Sequence, residues 1–408
     1  MSLALAAAPA RLRPWGVYAV LAALGLVLRV PLAFYNQAAG YEALDTTLIN
    51  IDGVGYVRKA VGLQESYADL NWLYESLNTL MFRLGGSERY LYLQMSLLNV
   101  VLSLLLPLAA WPAFRWLVDD AQARDRARIA MTALLLLWPP AIWMSAQNMK
   151  DTLLALLLCA YTSAAIALLA RGGRAPLAWV AALLSAFALF SLRVYAIAIL
   201  GVATAIAALA TWRRHPRLVL VGGLVAIGAL AGPLRAPIET ILSPENRFLF
   251  DPTVVAAINE QRLTQDEAFL QVNSTLPDIA RDAVRAPLNP YPSLYWRNGY
   301  DGLLMLRTVA AGLGLGGFLL WLVRWRSPYR AYFVGALVLA WAFFAVGRSY
   351  SGPRQVYSTI EPPMLMAVAV ALATERRQAY WLRSAAAGAT VLLVLLAYTT
   401  LTDYAAAP

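Results

Sequence analysis

The stretch "WGVYAVLAALGLVLRVPLAFY", residues 15–35, carries one charged side chain, Arg29, in 21 positions. As a helix it rises about 30 Å at 1.5 Å per residue, the thickness of a bilayer's hydrocarbon core. Arg11 and Arg13 precede it, as basic residues precede a secretory signal. Its length and the lack of an A-x-A-like cleavage site predict an uncleaved first helix instead.

Outward from this stretch, apolar windows recur along the whole chain. Spans are expected near 90–114, 129–146, 152–170, 176–192, 195–212, 217–235, 302–323, 331–347, 358–374 and 381–400, about eleven with the first. Composition agrees: 60% of the 408 residues are hydrophobic and 14% charged, with a mean hydropathy of +0.59. Water-soluble domains carry about 25% charged residues. The predicted fold class is therefore an all-α polytopic membrane protein. Residues 1–408 form a single transmembrane domain, with no internal repeat or linker.

Charge orients the spans. With the N-terminus inside, the inner segments are 1–14, 115–128, 171–175, 213–217, 324–330 and 375–383. These hold 17 Lys and Arg against 4 acids, and the remainder holds 16 against 19. Basic residues collect in short inner loops, so the net charge of +10 reports topology and calls for no nucleic-acid partner. Two longer segments, 36–89 and 236–301, then lie outside. Both contain amphipathic stretches, "LYESLNTLMFRL" (73–84) and "LPDIARDAVRAPL" (276–288), suited to the membrane surface. They are expected to cap a cavity.

Cys159 and His215 each occur once, which excludes an intrachain disulfide and a Cys/His zinc cluster. Cys159 falls in an apolar span and reads as a small hydrophobe. His215 belongs to the basic turn "RRHPR".

Four places could carry chemistry. In "INIDGVGYVRKA" (49–60), Asp52 and Tyr56 share a helix face. Gly53 and Gly55 are read as a tight turn before that helix. Asp52 could take a proton from a hydroxyl or serve as an N-cap. In "WPPAIWMSAQNMKDTLLALLL" (138–158), Lys150 and Asp151 occupy a short outer turn. Lys150 is one of two lysines among 33 basic residues and could meet a lipid phosphate; the alternative is snorkelling beside a capping Asp151. In "LFSLRVYAIAIL" (189–200), Arg193 and Tyr195 interrupt apolar sequence, where a charge is costly unless paired or wetted. In "VGRSYSGPRQVYSTIEPPMLMAVAVAL" (346–372), Arg348 and Arg354 bracket a Gly-Pro turn and suit a phosphate or diphosphate. Interfacial anchoring is the alternative for the last two places. Glu75 and Asp45 are weaker candidates on the same outer side, and Arg29 is read as snorkelling to the outer face.

The pattern resembles the GT-C superfamily of integral-membrane glycosyltransferases, especially the bacterial relatives of protein mannosyltransferases and aminoarabinose transferases. The matching residues are "LGLVLRVPLAFY" (24–35), the D-x-x-x-Y-x-x-x-A set Asp52, Tyr56 and Ala60, and residues 73–105. "FSLRVY" (190–195) and "RQVYSTIEPPM" (354–364) complete it. The resemblance implies a polyprenyl-phosphate-linked sugar as donor and a glycan, lipid or protein acceptor, in a bacterial plasma membrane. It implies an inverting transfer on the outer face, with Asp52 as general base. Tyr56, Glu75, Lys150, Asp151, Arg193, Tyr195, Arg348 and Arg354 would contact substrate. No cofactor is implied; some relatives use a divalent metal, and no dense carboxylate cluster argues for one here. Two other readings stay open: a polysaccharide polymerase or ligase relying on the arginines and segment 236–301, and a lipid-sugar flippase. One-sided polar residues and the lack of inverted repeats speak against the flippase.

Overall fold

The computed structural model describes residues 13–43, 51–63, 71–210, 299–346 and 356–405. Among these, the regular elements are all helical. The first is α1 (Pro14–Tyr35), continued by a π-helical turn, Asn36–Tyr41. Two shorter helices follow, α2 (Ile51–Ala60) and α3 (Trp72–Arg83). Then come α4 (Glu88–Ala110), α5 (Phe114–Leu117), α6 (Ala121–Leu137), α7 (Pro139–Ser145), α8 (Asp151–Arg171), α9 (Pro176–Leu192) and α10 (Val194–Ala210). The last four are α11 (Gly299–Arg324), α12 (Arg330–Val346), α13 (Glu361–Thr374) and α14 (Gln378–Ala405).

Four helical segments are long and apolar enough to cross a membrane: Pro14–Tyr41, Glu88–Leu117, Asp151–Arg171 and Met305–Arg324. The bent pair α6–α7 makes a fifth if it is one span. The eleven expected spans are thus four or five among the described residues. Helix length accounts for part of the difference: α9 has 17 residues and α13 has 14, so at 1.5 Å per residue each falls short of about 30 Å. The span expected at 217–235 and nearly all of segment 236–301 lie outside the described residues.

The expected span at 129–146 is divided. Pro139 and Pro140 follow Trp138, which is extended at φ −65°, ψ 125°, as a residue before proline prefers. Pro139 then starts α7, whose axis turns 53° from that of α6.

The core gathers around α4, α6, α8 and α13. α8 packs on α4 and α9, and α13 on α6. α10 pairs with α12 and α11 with α14. Eleven of α13's residues are buried, so this short helix is enclosed by its neighbours. Large apolar side chains on α1, α9 and α14 point outward instead, among them Val20, Val27, Leu177, Leu184 and Leu393. Such exposure is disfavoured in water and natural against lipid.

Arg29 corrects an expectation. It does not snorkel; it is fully buried and turned into the bundle. The glycines of 49–60 also differ from expectation, for Gly53 and Gly55 lie inside α2 rather than in a turn before it.

Candidate functional site: a polar junction around a broken helix

Proline chemistry starts the site. After α7 ends, residues 146–150 leave the helix and their carbonyls lose helical partners. Buried backbone polar groups need partners. Here side chains from earlier helices supply them. Asn36 donates to the Ala146 carbonyl at 2.9 Å. Asn99 donates to those of Gln147 and Met149 at 2.7 and 2.8 Å. Arg29 donates to Ser145 Oγ and to the Leu136 carbonyl, both at 2.8 Å. All three side chains are fully buried.

The same turn seats α2. Asn148 donates to the Gly53 carbonyl at 3.1 Å and to Asn78 Oδ1 at 2.9 Å. Its own Oδ1 accepts from the Tyr74 hydroxyl at 3.0 Å. A Cβ on Gly53 would stand 2.7 Å from the Asn148 carbonyl oxygen, so only glycine allows this approach. Tyr56 packs edge-on against Tyr74, with ring centroids 5.0 Å apart. Asp52, in the first turn of α2, is half-buried.

Beyond the turn, α8 begins with the Lys150–Asp151 pair. Lys150 donates to Asn71 Oδ1 and, at 3.1 Å, to the Leu192 carbonyl. Asp151 is fully buried and ion-paired with Arg193 at 3.2 Å. Arg193 donates also to Ser358 Oγ, and its guanidinium lies 5.6 Å from the Tyr195 ring centroid. Tyr195 stacks on Phe343. Asn71 has φ +95°, the one non-glycine with positive φ among the described residues, and asparagine tolerates that region better than most. Its N–H donates to the Ser191 carbonyl at 2.7 Å, docking the start of α3 on the end of α9.

Two further ion pairs border this junction. Lys59 and Glu75 meet at 2.7 Å, beside a cleft of about 410 Å³ lined also by Trp72, Ser76, Thr79 and Arg83. Arg307, 2% exposed, donates through Nε to Glu361 Oε1 at 2.6 Å. The other oxygen of Glu361 accepts from the Trp138 indole at 2.6 Å.

The sequence-derived candidates therefore fall as follows. Lys150, Asp151, Arg193 and Tyr195, from two separate stretches, form one group. Glu75 joins Lys59. Asp52 and Tyr56 reach that group through the turn 146–150, which Gly53 touches at Asn148. Arg348, Arg354 and Asp45 lie outside the described residues, but Ser358, shortly after Arg354, is a partner of Arg193. Arg307 and Glu361 were missed. Their signal was a lone arginine inside an apolar span and an acid just before "PP", both of which read as functional or paired at membrane depth. Among the described residues no three of His, Cys, Asp and Glu group closely enough to hold a metal ion.

Comparison with protein-family models, with curated proteins and with solved structures gives no match.

Proposed function

We propose that the chain is a polytopic membrane glycosyltransferase of GT-C type, with its N-terminus cytoplasmic and its site on the outer face of a bacterial plasma membrane. It moves a sugar from a polyprenyl-phosphate donor to an acceptor hydroxyl. The observation that carries this reading is the seating of α2: the Gly53–Asn148 contact holds the helix bearing Asp52 against the turn that leads into Lys150, Asp151 and Arg193.

The chemistry then divides between two charges. Asp52 accepts the proton of the acceptor hydroxyl. The freed oxygen attacks the anomeric carbon from the side opposite the phosphate, so configuration inverts. The carbon–oxygen bond to phosphate breaks, and polyprenyl phosphate leaves with the bonding electrons. Cations set in advance stabilise that developing charge. Lys150 and Arg193 serve here, with Arg193 held in place by Asp151; Arg348 and Arg354 extend the set. Tyr56 and Glu75 contact the acceptor.

The test is Asp52→Asn in protein shown to be folded and to bind donor. In the first turn of α2 a purely structural Asp52 acts on the helix dipole, a contribution of about 0.3–1 kcal/mol to stability, so a structural role predicts near-normal turnover in the folded variant. A base role predicts a fall of about 10²–10⁴. Turnover within about threefold of the parent protein sinks the base assignment and favours the arginine-dependent polymerase reading.

A further inference from the structure

A groove of about 890 Å³ runs between α11 and α14, away from the polar junction. Its floor is made of small residues, including Gly312, Gly316 and Gly388. Its walls are fixed by polar staples. The Gly317 N–H donates to Ser384 Oγ at 2.7 Å, and the Tyr380 hydroxyl donates to the Gly317 carbonyl. A Cβ on Gly388 would collide with the Gly312 carbonyl, so the helices touch backbone to backbone there.

One end of this apolar groove is cationic. Arg324, Arg377 and Arg383 line it. Glu375 pairs with Arg377 through two contacts of 2.8 and 2.7 Å and also feels the charge of Arg324, so three arginines face one carboxylate and the end keeps an excess of positive charge, with Arg324 and Arg383 both exposed. From Gly312 to Arg324 the groove follows α11 for about 18 Å, close to half of the roughly 30 Å hydrocarbon core. That is the depth of one leaflet.

We infer that this groove is a binding site for an anionic phospholipid. One acyl chain lies against the glycines, and the phosphate sits between Arg324 and Arg383. Charge complementarity and the one-leaflet length select this occupant. With the orientation proposed above the lipid comes from the inner leaflet, but the site does not depend on sugar transfer.

Gly316 allows a clean test, because a Cβ there meets nothing within 4 Å. Gly316→Leu fills the groove without entering the α11–α14 contact. The full chain is equilibrated with mixed micelles of equal phosphatidylglycerol and phosphatidylcholine, and retained lipid is counted by native mass spectrometry. Wild type is expected to retain phosphatidylglycerol preferentially. Arg324→Gln and Arg383→Gln should each lower that preference about fivefold, the equivalent of about 1 kcal/mol per cation near a charged headgroup. Gly316→Leu should lose the bound lipid while its unfolding temperature stays at or above the parent value. Retention in proportion to the mixture overturns the proposal, as does unchanged phosphatidylglycerol in Gly316→Leu. Added polyprenyl phosphate that displaces phosphatidylglycerol at equal concentration overturns the choice of occupant.

Discussion

The two ends of α13 hold the same kind of ion pair under opposite conditions. At its start Glu361, 8% exposed, meets the buried Arg307 and the Trp138 indole. Just past its end Glu375 meets Arg377, two residues along the chain, with the arginine exposed. The first pair and its indole partner join α11, α13 and the break between α6 and α7; the second closes a local turn. A buried pair adds little over an apolar substitute, yet losing one partner strands a charge. An exposed pair costs almost nothing to break. The contrast separates the polar end of the bundle, where charges are committed, from the opposite end, where they stay in solvent.

The largest effect expected from this contrast is at Arg307. Arg307→Ala leaves Glu361 buried without its counter-charge and should cost about 3–5 kcal/mol, seen as a collapse in folded yield by size-exclusion chromatography. The double change Arg307→Met with Glu361→Leu should recover most of that yield. Equal losses in the single and double variants would show that the pair is not what holds this end.

An intermediate effect is expected at the α2 seat. Gly53→Ala forces a methyl group into the Asn148 carbonyl and should cost about 1–3 kcal/mol. Gly55→Ala, where a Cβ meets nothing within 4 Å, should be neutral or stabilise by about 0.5–1 kcal/mol through helix propensity. Thermal unfolding of the two variants reads the difference directly. Identical midpoints would remove the contact from any role in holding Asp52.

The smallest effect belongs to Glu375. Hydrogen bonding from Arg377 lowers its carboxyl from 4.5 to about 2. A depressed acid contributes above its unfolded value and loses that contribution as pH falls through the folded one. Between pH 5 and 8 the pair is therefore constant, and Glu375→Gln should leave the pH dependence of unfolding unchanged over that range. A change in slope there would mean that Glu375 titrates above the value that Arg377 and Arg324 set for it.

The helical class was legible in the sequence because bilayer-length apolar runs carry their own signal. α9 matches its expected bounds at 176–192. The broken span was half legible: the two prolines marked an end, but the residues that satisfy it, Arg29, Asn36 and Asn99, come from three other places along the chain. Sequence spacing cannot link them. For the same reason Arg29 was read as snorkelling, since its depth in the span was visible and its direction was not. The Lys150–Asp151 and Arg193–Tyr195 stretches stood out because charges in apolar surroundings are conspicuous. Their mutual pairing emerged only with the packing of α8 against α9. Gly53 shows the limit most plainly, since a turn glycine and a contact glycine look alike until the neighbouring backbone is known.

The partners of the broken helix also carry an order in time. Arg29, Asn36, Gly53, Tyr74, Asn78 and Asn99 all precede residues 145–149 that they hold. When that stretch leaves the ribosome, these six partners have already been made. The Trp138 indole must instead await an acceptor 223 residues later, and Arg307 awaits one 54 residues later. At about 5–20 residues per second, Arg307 exists for roughly 3–11 s before Glu361 is made. The break in the N-terminal half thus meets these partners during synthesis, and α13 arrives later with the acid that Trp138 and Arg307 await.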